Sequence, residues 1–223
     1  MPLRDETARA HAVCEHAKSS VENFFHIFDN LAAARGRGAP ADEEQDLLRA
    51  ALVFAAAGLD STLKELIKGT VKPLAAIHAD VRQEFETFVQ RQLKGESEDS
   101  ESPSGYKFLA SILSSSNPQS RLLDDYVYYL TGASLQSVDQ LFKTVKALGI
   151  DPRLISDRRP QLASIFNSRN AIIHELDIKF TNRRGHRQRN PRRREDLRQD
   201  CNTIIELTDA IITAVEEKFP NAT

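Results

Sequence analysis

Two long stretches of this 223-residue chain carry helical spacing with almost no punctuation, and that spacing most limits what the chain can fold into. Asp5 can cap a helix that runs to about Arg35, with Val13, Ala17, Val21, Phe24, Phe28 and Leu31 on one face and Gly36 and Gly38 ending it. Asp42 with Gln45 reads as a capping box for a second helix. Its stripe is Leu48, Ala51, Leu52, Ala55, Leu59, Leu63, Leu66 and Ile67, and Gly69 closes it. No segment alternates apolar and polar residues as a half-buried strand does. With nine Gly, nine Pro and 40% hydrophobic residues, the chain can build a proper core. The expectation is an all-α fold, an elongated helical bundle, with residues 1–223 forming a single domain.

Further helical patterns follow in order. Lys72 to Leu93 carries Leu74, Val81, Phe85, Phe88 and Val89. Gly95 to Gly105, GESEDSESPSG, is acidic, Ser-rich and lacks an apolar anchor, so it predicts a mobile acidic loop acting as a solvated connector. Tyr106 to Leu113 and Arg121 to Leu130 are short helices separated by Ser114-Ser115-Ser116-Asn117-Pro118. The cluster Tyr126, Tyr128 and Tyr129 could stack on bases, although packing is the better explanation. Ser134 caps a helix through Leu135, Val138, Leu141, Phe142, Val145 and Leu148, which Gly149 and Asp151-Pro152 stop. Asp60 and Lys64, four apart on the polar side of the second helix, are either an ordinary stabilising pair or a polar contribution to a cleft.

The most unusual pattern lies in Gln161 to Phe180, QLASIFNSRNAIIHELDIKF, which Asp157 caps and whose first turn tolerates Pro160. Leu162, Ile165, Phe166, Ile172, Ile173, Leu176 and Phe180 mark a buried face, and Arg169 sits where that stripe should continue. A guanidinium on the core side of a helix is costly unless an anion or a hydrogen-bond network meets it. Asn170 and His174, four apart, share a neighbouring face that Asn167 and Asp177 extend by one turn each way. An Arg followed after four to six residues by a His occurs three times, Arg4 with His11, Arg9 with His16 and Arg169 with His174, where chance alone predicts roughly one or two. Only the third has Asn directly after the Arg, apolar residues before the His and a strongly amphipathic helix around it.

The run RNAIIHELD resembles the signature of the HEPN superfamily, in which an Arg, usually followed by a polar residue, precedes a His on a small helical bundle. The resemblance is best over Ser134 to Phe180, where LQSVDQLFKTVKALGID is similar to the helix and turn before the signature in some bacterial members. It implies a HEPN-type bundle with extra helices and an Arg-rich turn before the C-terminal helix. It also implies a metal-independent endoribonuclease without cofactors, commonly a homodimer whose two motifs meet in one cleft, with Arg169, Asn170 and His174 as catalytic residues. A toxin or phage-defence effector held by an antitoxin or defence-system partner fits the same resemblance. Many members have lost catalysis, so the alternative is a non-catalytic helical module that binds nucleic acid or a partner protein.

The net charge of −2 conceals an asymmetry, with acid early and base late. TNRRGHRQRNPRRREDLR, from Thr181, contains eight arginines and predicts a basic turn over residues 181–194. Asn190 and Pro191 read as cap and first turn of a last helix, with Leu197, Cys201, Ile204, Ile205, Thr208, Ile211, Ile212, Val215 and Phe219 inward. That places Arg192, Arg193 and Arg194 in its first turn, where the helix dipole disfavours cations and an arriving phosphate would be welcome. With Arg183, Arg184, Arg187 and Arg189, they are the expected RNA-binding residues, holding backbone phosphates without reading sequence. Cys14 and Cys201 fall on apolar stripes as core residues, and no Cys or His cluster has metal-ligand spacing. The chain shows no secretory signal and no run long enough to span a membrane, so a cytoplasmic location is the expectation.

Overall fold

A computed structural model describes residues 5–95, 105–180 and 187–220. Nine helices and one two-stranded ribbon occur among them: α1 (Asp5–Arg35), α2 (Asp42–Ile77), α3 (Ala79–Lys94), α4 (Gly105–Leu113), α5 (Pro118–Thr131), α6 (Val138–Ala147), α7 (Arg153–Ser156), α8 (Arg159–Glu175), β1 (Ile178–Phe180), β2 (Arg187–Arg189) and α9 (Arg194–Glu216). The fold is all-α, as the periodicity predicts. The ribbon and the one-turn helix α7 are absent from the sequence reading; the ribbon pairs Ile178 with Arg189 and Phe180 with Arg187 in antiparallel register. Most of the expected acidic loop, residues 96–104, lies outside the described residues, as do residues 181–186 of the basic turn. No described helix is long and apolar enough to cross a membrane.

The frame is a three-helix layer of α1, α2 and α9. At 36 residues α2 is the longest element, about 54 Å at 1.5 Å per residue. Helix α1 packs antiparallel against it at very close range. A methyl group added at Gly58 would meet Ala17 Cβ at 2.3 Å, and one at Gly69 would meet the Glu6 carbonyl oxygen at 2.1 Å. Gly69 therefore does not close α2, as its sequence position suggested; it is the residue whose missing side chain lets α1 approach, and α2 continues to Ile77 through Pro73. The third helix accordingly begins at Ala79, not Lys72, after His78 turns extended.

Helix α9 runs antiparallel to α1 along a ladder of polar contacts. Thr7 donates to Glu216 at 2.7 Å, His11 meets the same carboxylate at 2.8 Å, and Lys18 pairs with Asp209 at 2.9 Å. Further along, Arg198 pairs with Glu22 and Arg194 with Asp29. Leu52, Leu59, Leu63, Ile204, Ile211 and Val215 fill the space between the helices in one connected core that extends into α8. Tyr126 is buried beside Phe85 and Phe88, so packing rather than base stacking explains it, whereas Tyr128 is exposed. Cys14 and Cys201 are buried free thiols, each pushed up to about 12, first of all by burial.

Several caps shift by a few residues. The amide of Ala41 donates to Glu44 at 2.6 Å, in place of an Asp42–Gln45 box, because Gln45 is engaged elsewhere. Ser137 rather than Ser134 caps α6, accepting from the Gln140 amide. Asp157 ends α7, and α8 starts after Arg158 with Pro160 in its first turn. Helix α9 begins at Arg194, several residues after the Asn190-Pro191 pair.

The close approach of α1 and α2 gives a direct expectation. Gly58→Ala raises helix propensity by about 1 kcal/mol, yet forces the two helices apart. The variant should lose stability, by about 1–3 kcal/mol, in the way overpacked cores do. Urea unfolding of Gly58→Ala and of Gly58→Ala with Ala17→Gly checks it: the second change should restore most of the loss, and a stabilised single variant would overturn the packing argument.

Candidate functional site

Helix α8 buries Leu162, Ile165, Phe166 and Ile172 against the frame. Arg169 occupies the expected place in that stripe. Its Nε is buried without a hydrogen-bond partner, and its Nη1 donates to Asn170 Oδ1 at 2.9 Å. Burial lowers the Arg169 pKa from the ordinary arginine value, and the negative charge of Asp60 on α2 opposes that shift. Asp60 is itself held, accepting from the Leu135 amide at 2.6 Å and pairing with Lys64 at 2.9 Å. The Asp60–Lys64 pair is thus an ordinary helix pair and also part of the electrostatic surroundings of Arg169.

His174 lies in the last turn of α8 and is exposed. Among the described residues no side-chain hydrogen bond reaches its ring. Asn170, one turn earlier, gives its oxygen to Arg169 and does not orient the imidazole. The arrangement is a half-buried cation backed by a carboxylate, followed on the same helix by an imidazole open to solvent.

The helix does not reach Phe180. It ends at Glu175, after which Leu176 and Asp177 both adopt positive φ, 50° and 58°. Asp177 therefore does not extend the exposed face of the motif. It turns inward, is completely buried, and its carboxylate accepts four side-chain hydrogen bonds. Arg192 reaches both carboxylate oxygens, Nε at 2.8 Å and Nη2 at 2.6 Å. Arg49 from α2 donates through Nε at 3.0 Å, and Asn190 through Nδ2 at 2.9 Å. Burial would raise the Asp177 pKa, but the hydrogen bonds from Arg192, Asn190 and Arg49 outweigh it and hold the carboxyl below the ordinary carboxylate value. The network extends outward: Arg49 also donates to the Asn190 carbonyl at 2.8 Å, and Gln45 exchanges two hydrogen bonds with the Arg192 backbone, at 2.6 and 3.0 Å.

This network changes what the basic turn can do. Arg183 and Arg184 lie outside the described residues, and only the backbone of Arg187 is placed, in β2. Arg189 pairs with Asp46 at 2.6 Å and donates to the Leu176 carbonyl at 3.1 Å. Arg192 is committed to Asp177. Arg194, the first residue of α9, makes a two-point contact with Asp29 at 2.6 Å for each nitrogen. Arg193 alone of the expected trio is exposed, at the N-cap of α9. The unfavourable cations at this helix start are answered within the chain, by Asp29 and by Glu195 and Asp196 in the first turn.

A long α1–α2 hairpin, a central helix ending in the Arg–His motif and a C-terminal helix closing the core define a HEPN-type domain. The sequence profile of the family described as RiboL-PSP-HEPN matches residues 15–217, and the chain belongs to that family. No curated protein and no solved structure matches it.

The Asp177 network has a pH signature. A carboxyl with a depressed folded pKa contributes stability that is present above the unfolded pKa, about 3.9 for Asp. That stability is lost as pH falls through the lower folded value. Asp177→Asn, which leaves two guanidiniums without their anion, should cost about 3–5 kcal/mol at pH 7. Urea unfolding at pH 7 and pH 3 should show this difference shrinking in acid; an equal difference at both would mean the carboxylate charge is not what matters.

Proposed function

We propose that this chain is a metal-independent endoribonuclease of the HEPN type that acts as a homodimer. The observation that carries the reading is Arg169: a guanidinium drawn into the apolar stripe of α8, with a buried and unpartnered Nε, on the same helix as an exposed imidazole. A cation kept partly desolvated is strongest toward charge that develops next to it. RNA is the substrate that needs nothing further, because its 2′-hydroxyl is an internal nucleophile. His174 as general base takes the 2′ proton while the oxygen attacks the adjacent phosphorus. Arg169 neutralises the pentacoordinate phosphate, and the 5′-oxygen leaves with a proton from a general acid. The products are a 2′,3′-cyclic phosphate and a 5′-hydroxyl.

One imidazole cannot serve both proton transfers in a single step, and a two-fold axis supplies the second. Ile173 and Leu176, which flank His174 on either side, are exposed apolar residues. Such residues around a charged motif suit contact with a second copy. Backbone phosphates fall to the exposed Arg193, with Arg183, Arg184 and Arg187 as further candidates from sequence. The internal pairing of Arg189, Arg192 and Arg194 favours a second reading, a partner-binding HEPN module without cleavage.

Purified protein incubated with single-stranded RNA in EDTA distinguishes the two. The expected result is cleavage to cyclic-phosphate and 5′-hydroxyl ends, reduced about 100-fold or more by His174→Ala and by Arg169→Ala, from a protein that sediments as a dimer at micromolar concentration. Full cleavage by His174→Ala would remove the nuclease assignment from this site, and absence of cleavage with RNA or protein binding retained would leave the binding module.

A further inference from the structure

We infer that Arg192 and Asp177 are positioning residues for His174, a role that rests on the nuclease reading above. The imidazole has no side-chain partner among the described residues, so its place is set by where α8 stops. No Gly or Pro sets that point. Two consecutive non-glycine residues with positive φ, Leu176 and Asp177, end the helix, a conformation that persists only when surrounding contacts determine it. The Asp177 amide returns to the Ala171 carbonyl at 2.9 Å, and the Asp177 carboxylate is held from α2 by Arg49 and from beyond the ribbon by Asn190 and Arg192.

Arg192 does more than close this end. Besides its two bonds to Asp177, its Nη1 lies 3.4 Å from the hydroxyl of Ser168, the residue directly before Arg169. One guanidinium therefore braces the motif at both ends, next to Arg169 and three residues after His174. Its planar fork is what allows two parallel bonds to one carboxylate together with a third contact; a lysine ammonium keeps the charge but not that geometry.

This separates positioning from phosphate binding, the role that the arginine-rich sequence suggests for the same residue. Arg192→Lys preserves charge, so a phosphate ligand at this position would retain affinity, salt dependence and turnover. A brace would fail in a different way. The expected result for Arg192→Lys is kcat lowered about tenfold or more, with KM within about twofold and unchanged salt dependence of RNA binding. The His174 imidazole resonance should change from a single sharp signal to a broadened or split one, while circular dichroism remains helical. The resonance needs no activity, so it tests the brace even if the wild-type protein cleaves no RNA, a result that would count against the nuclease reading alone. Asn190→Ser, which shortens one of the four donors to Asp177 and leaves both guanidiniums in place, gives the same pattern more weakly and serves if Arg192→Lys does not fold. Wild-type kcat together with an unchanged His174 resonance in the folded variants would overturn the inference.

Discussion

A single buried carboxylate organises the functional end of this molecule. Asp177 is fully buried, and a lone ionised carboxylate in that place would be prohibitively costly. It is tolerated because Arg49, Arg192 and Asn190 converge on it from three parts of the chain, far apart in sequence. Burial of an ion pair is a poor source of net stability compared with apolar packing. What it supplies here is connection: Arg49 ties α2, and Asn190 and Arg192 tie the segment between the ribbon and α9, to the end of α8.

That constraint explains the contrast between the two residues of the motif. Arg169 points toward the frame, where Asp60 and the apolar stripe keep it half-buried and short of hydrogen-bond partners. His174, little more than a turn later, stands at the helix end in solvent. A helix that ran on to Phe180 would carry Asp177 on its surface and remove the anchor. The positive-φ turn at Leu176 and Asp177 instead ends the helix directly after the imidazole, so the same local event that buries the carboxylate leaves the histidine accessible. The tight seam between α1 and α2, with glycines at positions 58 and 69, provides the rigid wall on which Asp60, Lys64 and Arg49 are mounted.

The periodicity of Leu48 to Ile67 and of Leu197 to Phe219 was enough to recover the frame helices, because fully buried helical faces leave a strong pattern. Arg169, Asn170 and His174 stood out for the same reason: a cation in an apolar stripe violates the pattern visibly. The Asp177 network left no comparable signal. Arg49 lies within a helix rich in ordinary polar residues, and Asn190-Pro191 has the composition of a helix cap although α9 starts later. Gly69 misled for a physical reason, since a glycine needed for close approach and one needed to end a helix are the same letter. The arginines of the basic turn looked like free charge, and only the three-dimensional positions of Asp29, Asp46 and Asp177 show that Arg189, Arg192 and Arg194 are already paired.

The dependence of the motif end on Asp177 is open to direct measurement by amide hydrogen exchange on Asp177→Asn beside the wild-type protein. If the carboxylate fixes the end of α8, protection should fall at residues 171–177 and 187–192, while the amides of α1 and the middle of α2 exchange as before. Protection that is unchanged at residues 171–177, or that falls uniformly along α1, α2 and α9, would show that Asp177 does not hold the motif in place.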